Sequence, residues 1–389
     1  MPRMGRAPRF WSVLDNRAMD VRPGVPRPDL DAAHRPDADE PGGAGGARPS
    51  GRAARIRPRA AVVAAVSVVV VLAVVVVGLL VRRGGDDDGV AGGGDTAVSD
   101  SRPFFGLDLP SVDEGKVADI AKAVGCAPAV QNVFVKLDST SLDDALLKRL
   151  GANGREPMIT LEPWSWQSKP EETDLPAYSL KTIVDGQHDD AFEHIARVLA
   201  SHPGPVMVRF AHEMNANWYP WAVGVNGNTA EEYVAAWRHV HDVMSRIDPR
   251  IRWVWAPATV PWDDDPLPLK DVYPGDDVVD YVAVSGYGHA DEEGTRTAEQ
   301  TYGSWYDEVR GFTDKPAILS EMGADGDAKS DWIASLPSFL KDHPGIVGFV
   351  WYDTTPESTG ATGDYRFDDT EDHLSAFRDA LKEIGVRCL

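Results

Sequence analysis

The pattern of hydrophobic and polar positions changes twice before a regular alternation begins. Residues 1–59 show almost no apolar periodicity and are rich in Pro, Gly, Ala and Arg. Such a segment cannot bury enough surface to offset chain entropy, so it is expected to be disordered. Ala60 to Val81 then run for 22 residues without a charge and with one hydroxyl, Ser67. As a helix this stretch would be roughly 33 Å long, against a hydrocarbon core of about 30 Å, which predicts one membrane span. Valine is a poor helix former in water, but lipid leaves the backbone no partner except itself. Residues 82–101 are rich in Gly and Asp and read as a flexible linker.

From Phe104 onward, short apolar runs alternate with amphipathic stretches. The runs are 104–110, 130–138, 157–164, 206–215, 251–258, 281–288, 317–323 and 346–353. Between most of them lie helical candidates at 113–124, 142–150, 189–201, 229–246, 301–310, 329–341 and 371–384. Nearly continuous apolar strands alternating with helices imply a parallel sheet covered by helices. Eight such units within residues 102–389 predict a (β/α)8 TIM barrel, in the α/β class, as the single folded domain. No GxGxxG or GxxxxGK[ST] follows an early strand, which removes the usual nucleotide-binding signals of an open sheet. The stretch 259–280, with four prolines, is expected to be a long loop or a poorly patterned helix.

Charge sets orientation and excludes one class of partner. Arg48, Arg52, Arg55, Arg57 and Arg59 precede the apolar span, whereas Arg82 and Arg83 follow it and are met at once by Asp86, Asp87 and Asp88. The positive-inside rule therefore puts the N-terminus in the cytoplasm and the C-terminal domain outside the cell. An uncleaved anchor is favoured over a signal peptide, because the apolar core is long and no clear A-x-A site follows it. The net charge of −22 argues against nucleic acid as a partner, which would need a basic face.

A barrel of this kind carries its chemistry at the C-terminal ends of its strands. Glu213 stands at the end of strand 4 and Glu321 at the end of strand 7. Alternation is expected to group Arg209, Ala211 and Glu213 on one face, and Ala317, Leu319 and Glu321 on another. A glutamate ending an apolar strand is costly unless it meets water, a partner or a substrate. Two such carboxylates suit glycosidic hydrolysis, in which one protonates the leaving oxygen and the other attacks carbon or activates water. A separation of about 5–5.5 Å would mean retention of configuration, and about 6.5–9.5 Å inversion. Eleven of the twelve Trp lie after position 160, and Trp164, Trp218, Trp221, Trp262 and Trp351 fall at or beyond strand ends, where indole could stack on sugar rings. Trp237, Trp253, Trp255, Trp305 and Trp332 are expected to be packing residues. Glu162 is a third rim carboxylate, read as substrate-binding, and His188 as a loop or cap residue. No HExxH or Cys cluster supports a metal, and no G-x-S-x-G a serine nucleophile, so neither metal nor cofactor is expected.

The stretch RFAHEMNANWYPW (209–221), followed by NGNTAEEYVAAWRHVHDVM and WVWAP, resembles glycoside hydrolase family 26, with supporting matches at ITLEPW, SGYG, SEMG and FVWYD. The resemblance implies a retaining endo-β-glycanase acting on a polysaccharide, β-mannan first, with β-1,3-1,4-glucan or β-1,3-xylan as alternatives. It implies Glu213 as acid/base and Glu321 as nucleophile. It also implies His212 in the subsite of the reacting sugar, Tyr287 bonding the nucleophile, and Trp351 as aromatic platform. Asn215, Trp218 and Trp221 complete the motif as cleft residues. A non-catalytic carbohydrate-binding surface protein is the rival reading, and the protein is expected to be a monomer.

Cys126 follows the first barrel helix and Cys388 the last. Those helices are neighbours in a closed barrel, and the cell exterior is oxidising, so a Cys126–Cys388 disulfide is expected.

Overall fold

The computed structural model describes residues 102–389, apart from 140, 166–174, 260–265 and 292–293, and apart from side chains within 290–295. The chain divides into two units, residues 24–98 and the remainder, and every described residue belongs to the latter. The tail, the apolar span and the linker therefore lie outside the described residues. No helix among the described residues is long and apolar enough to cross a membrane.

Eight parallel strands close into a barrel. They are β1 Phe104–Asp108, β2 Val130–Lys136, β3 Glu156–Glu162, β4 Met207–Phe210, β5 Arg252–Trp255, β6 Tyr281–Gly288, β7 Ala317–Ala324 and β8 Ile346–Tyr352. Each pairs with its sequence neighbour, and β8 closes on β1. The helices α1 Glu114–Val124, α2 Asp144–Leu150, α3 Asp189–Leu199, α4 Ala230–Ser245, α5 Ala298–Arg310, α6 Lys329–Asp342 and α7 Glu371–Ile384 pack outside. Their starts follow capping chemistry: Asp113 accepts from the amides of Gly115 and Lys116, and Thr229 with Glu232, like Thr297 with Gln300, forms a reciprocal capping box. The stretch between β5 and β6 contains only a 3-10 turn, Leu269–Val272, among its described residues.

The strands are buried on both faces, and the two faces differ. Phe104, Val130, Met158, Met207, Val254, Ala283, Ile318 and Val350, one from each strand, form a common apolar cluster, which is possible only in the lumen. Outward residues such as Leu107, Ile159, Val208 and Phe349 join the helices in the main core. Above the apolar plug, toward the C-terminal strand ends, the lumen turns polar with Asp108, Asn132, Thr160, Arg209, Ser285 and Glu321, all buried.

Cys126 and Cys388 are bonded, with Cα atoms 5.2 Å apart across 262 residues of sequence. Next to this bond Phe104 forms a parallel bridge with Arg387, and the Leu389 amide donates to the Ala127 carbonyl. The end of the chain is thus tied to the strand that begins the barrel.

Candidate active site

Glu213 reaches the lumen by an unusual backbone route. Strand β4 ends at Phe210, so the alternation that correctly orients Arg209 inward does not extend to Glu213. Instead Ala211 and Glu213 adopt left-handed φ of 43° and 58°. Such strain costs of order 1–3 kcal/mol per residue and persists only where the surroundings enforce it. Here the Ala211 amide donates to the Leu161 carbonyl at 3.1 Å, and the Glu213 amide to the Ala256 carbonyl at 2.7 Å. The Tyr233 hydroxyl donates to the Ala211 carbonyl and the Trp221 indole N–H to the His212 carbonyl. Asn215 pins the same turn to the end of β5, accepting from the Ala258 amide and donating to its carbonyl.

Glu321 also defies simple alternation. Ile318 faces the lumen and Leu319 the helices, which would send Glu321 outward. Between Val284↔Leu319 and Ser285↔Glu321 the register of β7 slips by one residue. This bulge at Ser320 re-aims the next side chain, as bulges beside active sites do. Ala317, Leu319 and Glu321 therefore do not share a face.

The two glutamates meet. A carboxylate oxygen of each, and a ring nitrogen of His212, all lie within 4.8 Å of one another. Their surroundings push them toward opposite roles. Glu321 accepts from the Arg209 guanidinium at 2.5 Å and from the Tyr287 hydroxyl, a donor on each oxygen. Glu213 is 4% exposed, and its pKa is raised from 4.5 to about 8, by burial first and the charge of Glu321 second. The Trp218 indole N–H, 2.7 Å from its Oε2, and the Arg209 charge oppose the rise. His212 lies among Phe134, Tyr219 and Trp221. Burial and the Arg209 charge hold its pKa well below the usual value, so the ring is neutral, and neither nitrogen has a partner among the described residues. The cluster has the spacing of a cation site, but the guanidinium of Arg209 already supplies positive charge to Glu321.

Four expected cleft residues have other duties. Trp351 is fully buried on the outer face of β8, packed on Trp332, Phe367 and Phe377, with its N–H on the Tyr365 carbonyl. Its neighbour Tyr352 faces the lumen instead, in a cluster with Phe134, Tyr287 and Tyr365. Trp221 is fully buried behind Tyr219, which stacks on it at 4.2 Å. Trp164 is buried against both, and Asn215 holds backbone. Glu162 ends β3 as a buried residue, accepting from the Trp164 N–H, with burial raising its pKa and the Lys136 charge lowering it. His188 precedes α3 and stacks on Tyr178. Trp262 lies outside the described residues, and the five Trp assigned to packing are all buried. The luminal residues Asp108, Asn132 and Thr160 escaped the sequence reading. Their signal was an isolated polar side chain inside an otherwise largely apolar run.

The family model described as glycosyl hydrolase family 26 matches residues 173–372. The chain belongs to glycosyl hydrolase family 26. It is similar to endoglucanase H of Acetivibrio thermocellus, 27% identical over 59% of this chain and 24% of that protein. It is also similar to a β-1,3-xylanase of a Vibrio species, 29% identical over 65% of this chain and 60% of that protein. The matches thus cover less than two thirds of either relative. Among solved structures, a family 26 endo-β-1,4-mannanase catalytic domain of a Bacillus species superposes with a TM-score of 0.56 at 18% identity, covering 76% of this chain and 89% of that one. A family 26 β-mannanase of Bacteroides ovatus gives 0.57 at 15%, covering 74% and 91%. At these identities the structural likeness speaks for the fold alone.

Proposed function

We propose that this family 26 protein is a retaining endo-β-glycanase working by double displacement. The observation that carries the reading is the Glu213–Glu321 pair, with oxygens within 4.8 Å and unequal protonation environments. Glu321 attacks the anomeric carbon while Glu213 gives its proton to the departing glycosidic oxygen. A glycosyl-enzyme ester on Glu321 results, and Glu213 is left as a carboxylate. Water then gives Glu213 a proton and attacks the anomeric carbon, releasing Glu321. Tyr287 and Arg209 hold the nucleophile, and the unpartnered ring of His212 offers one donor and one acceptor to sugar hydroxyls. Glu162 lines the neighbouring subsite.

The names of the two relatives favour a glucan or β-1,3-xylan backbone over the mannan expected from sequence. Reducing-sugar release from mannan, mixed-linkage glucan and β-1,3-xylan tests this, with Glu213→Ala and Glu321→Ala as controls. Full activity in either variant, or polysaccharide binding without turnover, overturns the reading. Inversion of the first-formed anomer, followed by NMR, overturns the double displacement.

The site is further read as lying outside the cell, tethered by residues 60–81. The Cys126–Cys388 bond fits an oxidising compartment. Protease treatment of intact cells should remove the catalytic domain, and its protection would refute the orientation.

A further inference from the structure

Asp108 ends β1 in the lumen, buried at 3% exposure, and no step above uses it. It is one end of an unbroken chain of hydrogen bonds. The Asn132 Nδ2–H donates to Asp108 Oδ2 at 2.6 Å. The Thr160 hydroxyl donates to Asn132 Oδ1 at 2.8 Å. Arg209 Nε–H donates to Thr160 Oγ1 at 2.8 Å, and Arg209 Nη2–H to Glu321 Oε2 at 2.5 Å. The chain steps through adjacent strands, where Asp108 is in register with Asn132 and Thr160 with Arg209, before crossing the lumen to β7.

Every bond in this series has a direction, and Asp108 sets it. A side-chain amide can flip, exchanging its donor and acceptor ends. Asp108 offers an oxygen to Asn132, so the Asn132 NH2 turns toward β1 and its carbonyl toward β3. That carbonyl takes the Thr160 proton, which leaves a Thr160 lone pair facing Arg209 Nε. With Nε held by Thr160 and Nη1 by Ser285 at 3.1 Å, the planar guanidinium can present Nη2 to Glu321 in only one orientation. Without an acceptor at position 108, the Asn132 amide is free to turn its NH2 toward Thr160. The Thr160 hydroxyl must then accept from Asn132 and turn its proton elsewhere, which frees it to rotate out of line with Arg209 Nε. Burial and the nearby Glu321 charge push the Asp108 pKa well up, so the neutral acid, whose carbonyl oxygen still accepts, is sufficient for the task.

We infer that Asp108 is a positioning residue for Glu321, acting through Asn132, Thr160 and Arg209. This rests on the reading of Glu321 as nucleophile. A misplacement of about 1 Å at a reacting group can cost ~100-fold in rate, so the effect belongs in kcat. The test is a double-mutant cycle in the full-length protein, on the polysaccharide that the wild type hydrolyses best. Asp108→Ala and Thr160→Val are each expected to lower kcat about 10- to 100-fold, with KM changed less than about threefold. Because both cut one chain, the double variant should fall no more than about twofold below the worse single variant. Asp108→Asn and Thr160→Ser keep the bonding atoms and nearly the volume, and each should recover most of its partner variant's loss. They carry the test if Asp108→Ala or Thr160→Val fails to fold. Losses that multiply in the double variant, a rise in KM alone, or no recovery in Asp108→Asn and Thr160→Ser overturn the positioning role. With Glu321→Ala inactive, such a result leaves the nucleophile assignment standing. Wild-type activity in Glu321→Ala would overturn that assignment and this role together.

Discussion

Replacing Glu213 by Gln probes the protonation state on which the acid role depends. The native carboxyl has its pKa raised from 4.5 to about 8, with burial the larger cause and the Glu321 charge the second. In the unfolded chain both causes vanish and the group titrates near its ordinary value. Because the folded pKa is the higher one, the unfolded state loses its proton first as pH rises. The native state's advantage is whole below about pH 4.5 and is lost progressively up to about pH 8. At 1.36 kcal/mol per unit the full loss is about 5 kcal/mol, of which about 3 kcal/mol has accrued by pH 7. Gln keeps the shape and an oxygen for the Trp218 N–H, and it never ionises. In denaturant unfolding followed by tryptophan fluorescence, Glu213→Gln should therefore gain about 3 kcal/mol on the wild type between about pH 4 and pH 7. Hydrolysis of polysaccharide should fall by at least about 100-fold at the same time, the usual worth of a positioned acid. A stability difference that stays constant across this pH range would refute the raised pKa and the acid assignment built on it.

Trp218→Phe removes an indole N–H that lowers the Glu213 pKa, so the alkaline limb of kcat/KM should move to higher pH; a limb that stays or moves down contradicts the contact. Reducing the bond between Cys126 and Cys388, 262 residues apart, should cost about 5.5 kcal/mol on a chain-entropy account, read as a lower midpoint of unfolding in dithiothreitol. Trp351→Ala should cost about 3–5 kcal/mol in unfolding while leaving KM within about threefold, since the ring packs among Trp332, Phe367 and Phe377; a rise in KM at unchanged stability would return it to the cleft.

The barrel was legible because its physics is periodic. Parallel strands covered on one face by helices and on the other by the lumen must be apolar at nearly every position, and all eight runs stood out for that reason. The seven labelled helices were equally plain from their 3.6-residue stripes. What periodicity cannot reveal is a break in itself. The bulge at Ser320 exists only against its pairing with β6, and the left-handed turn at Ala211 and Glu213 rests on bonds to Leu161, Ala256 and Ala258, far away in sequence. Glu213 and Glu321 were singled out by residue type and motif, while alternation orients neither: a left-handed turn aims Glu213, with Ala211 in the outer core, and a bulge aims Glu321. Trp351 and Tyr352 show the same limit from the other side. A strand's end tells which pair straddles the sheet, and only the helices behind it tell which member they take.

Net charge in the lumen offers a route to the catalytic roles that needs no motif. Four carboxyls crowd this space, Asp108, Glu162, Glu213 and Glu321, against two cations, Arg209 and Lys136. Burying an uncompensated charge costs several kcal/mol, so the site cannot hold four carboxylates. Lys136 acts on Glu162, its register partner on β3. Arg209 can make a close ion pair with only one of the other three, and its Nη2 is spent on Glu321. The remaining two, Glu213 and Asp108, must then carry protons, and burial raises the pKa of both. Glu213 has an oxygen within 4.8 Å of one on Glu321, whereas Asp108 is fenced off behind Asn132. The proposed proton donor and nucleophile are thus set apart by where one guanidinium points. Esterifying Glu321 removes the negative charge that helped keep Glu213 protonated, while Arg209 remains. Glu213 then becomes easier to ionise at the step where the proposed double displacement calls on it as a base.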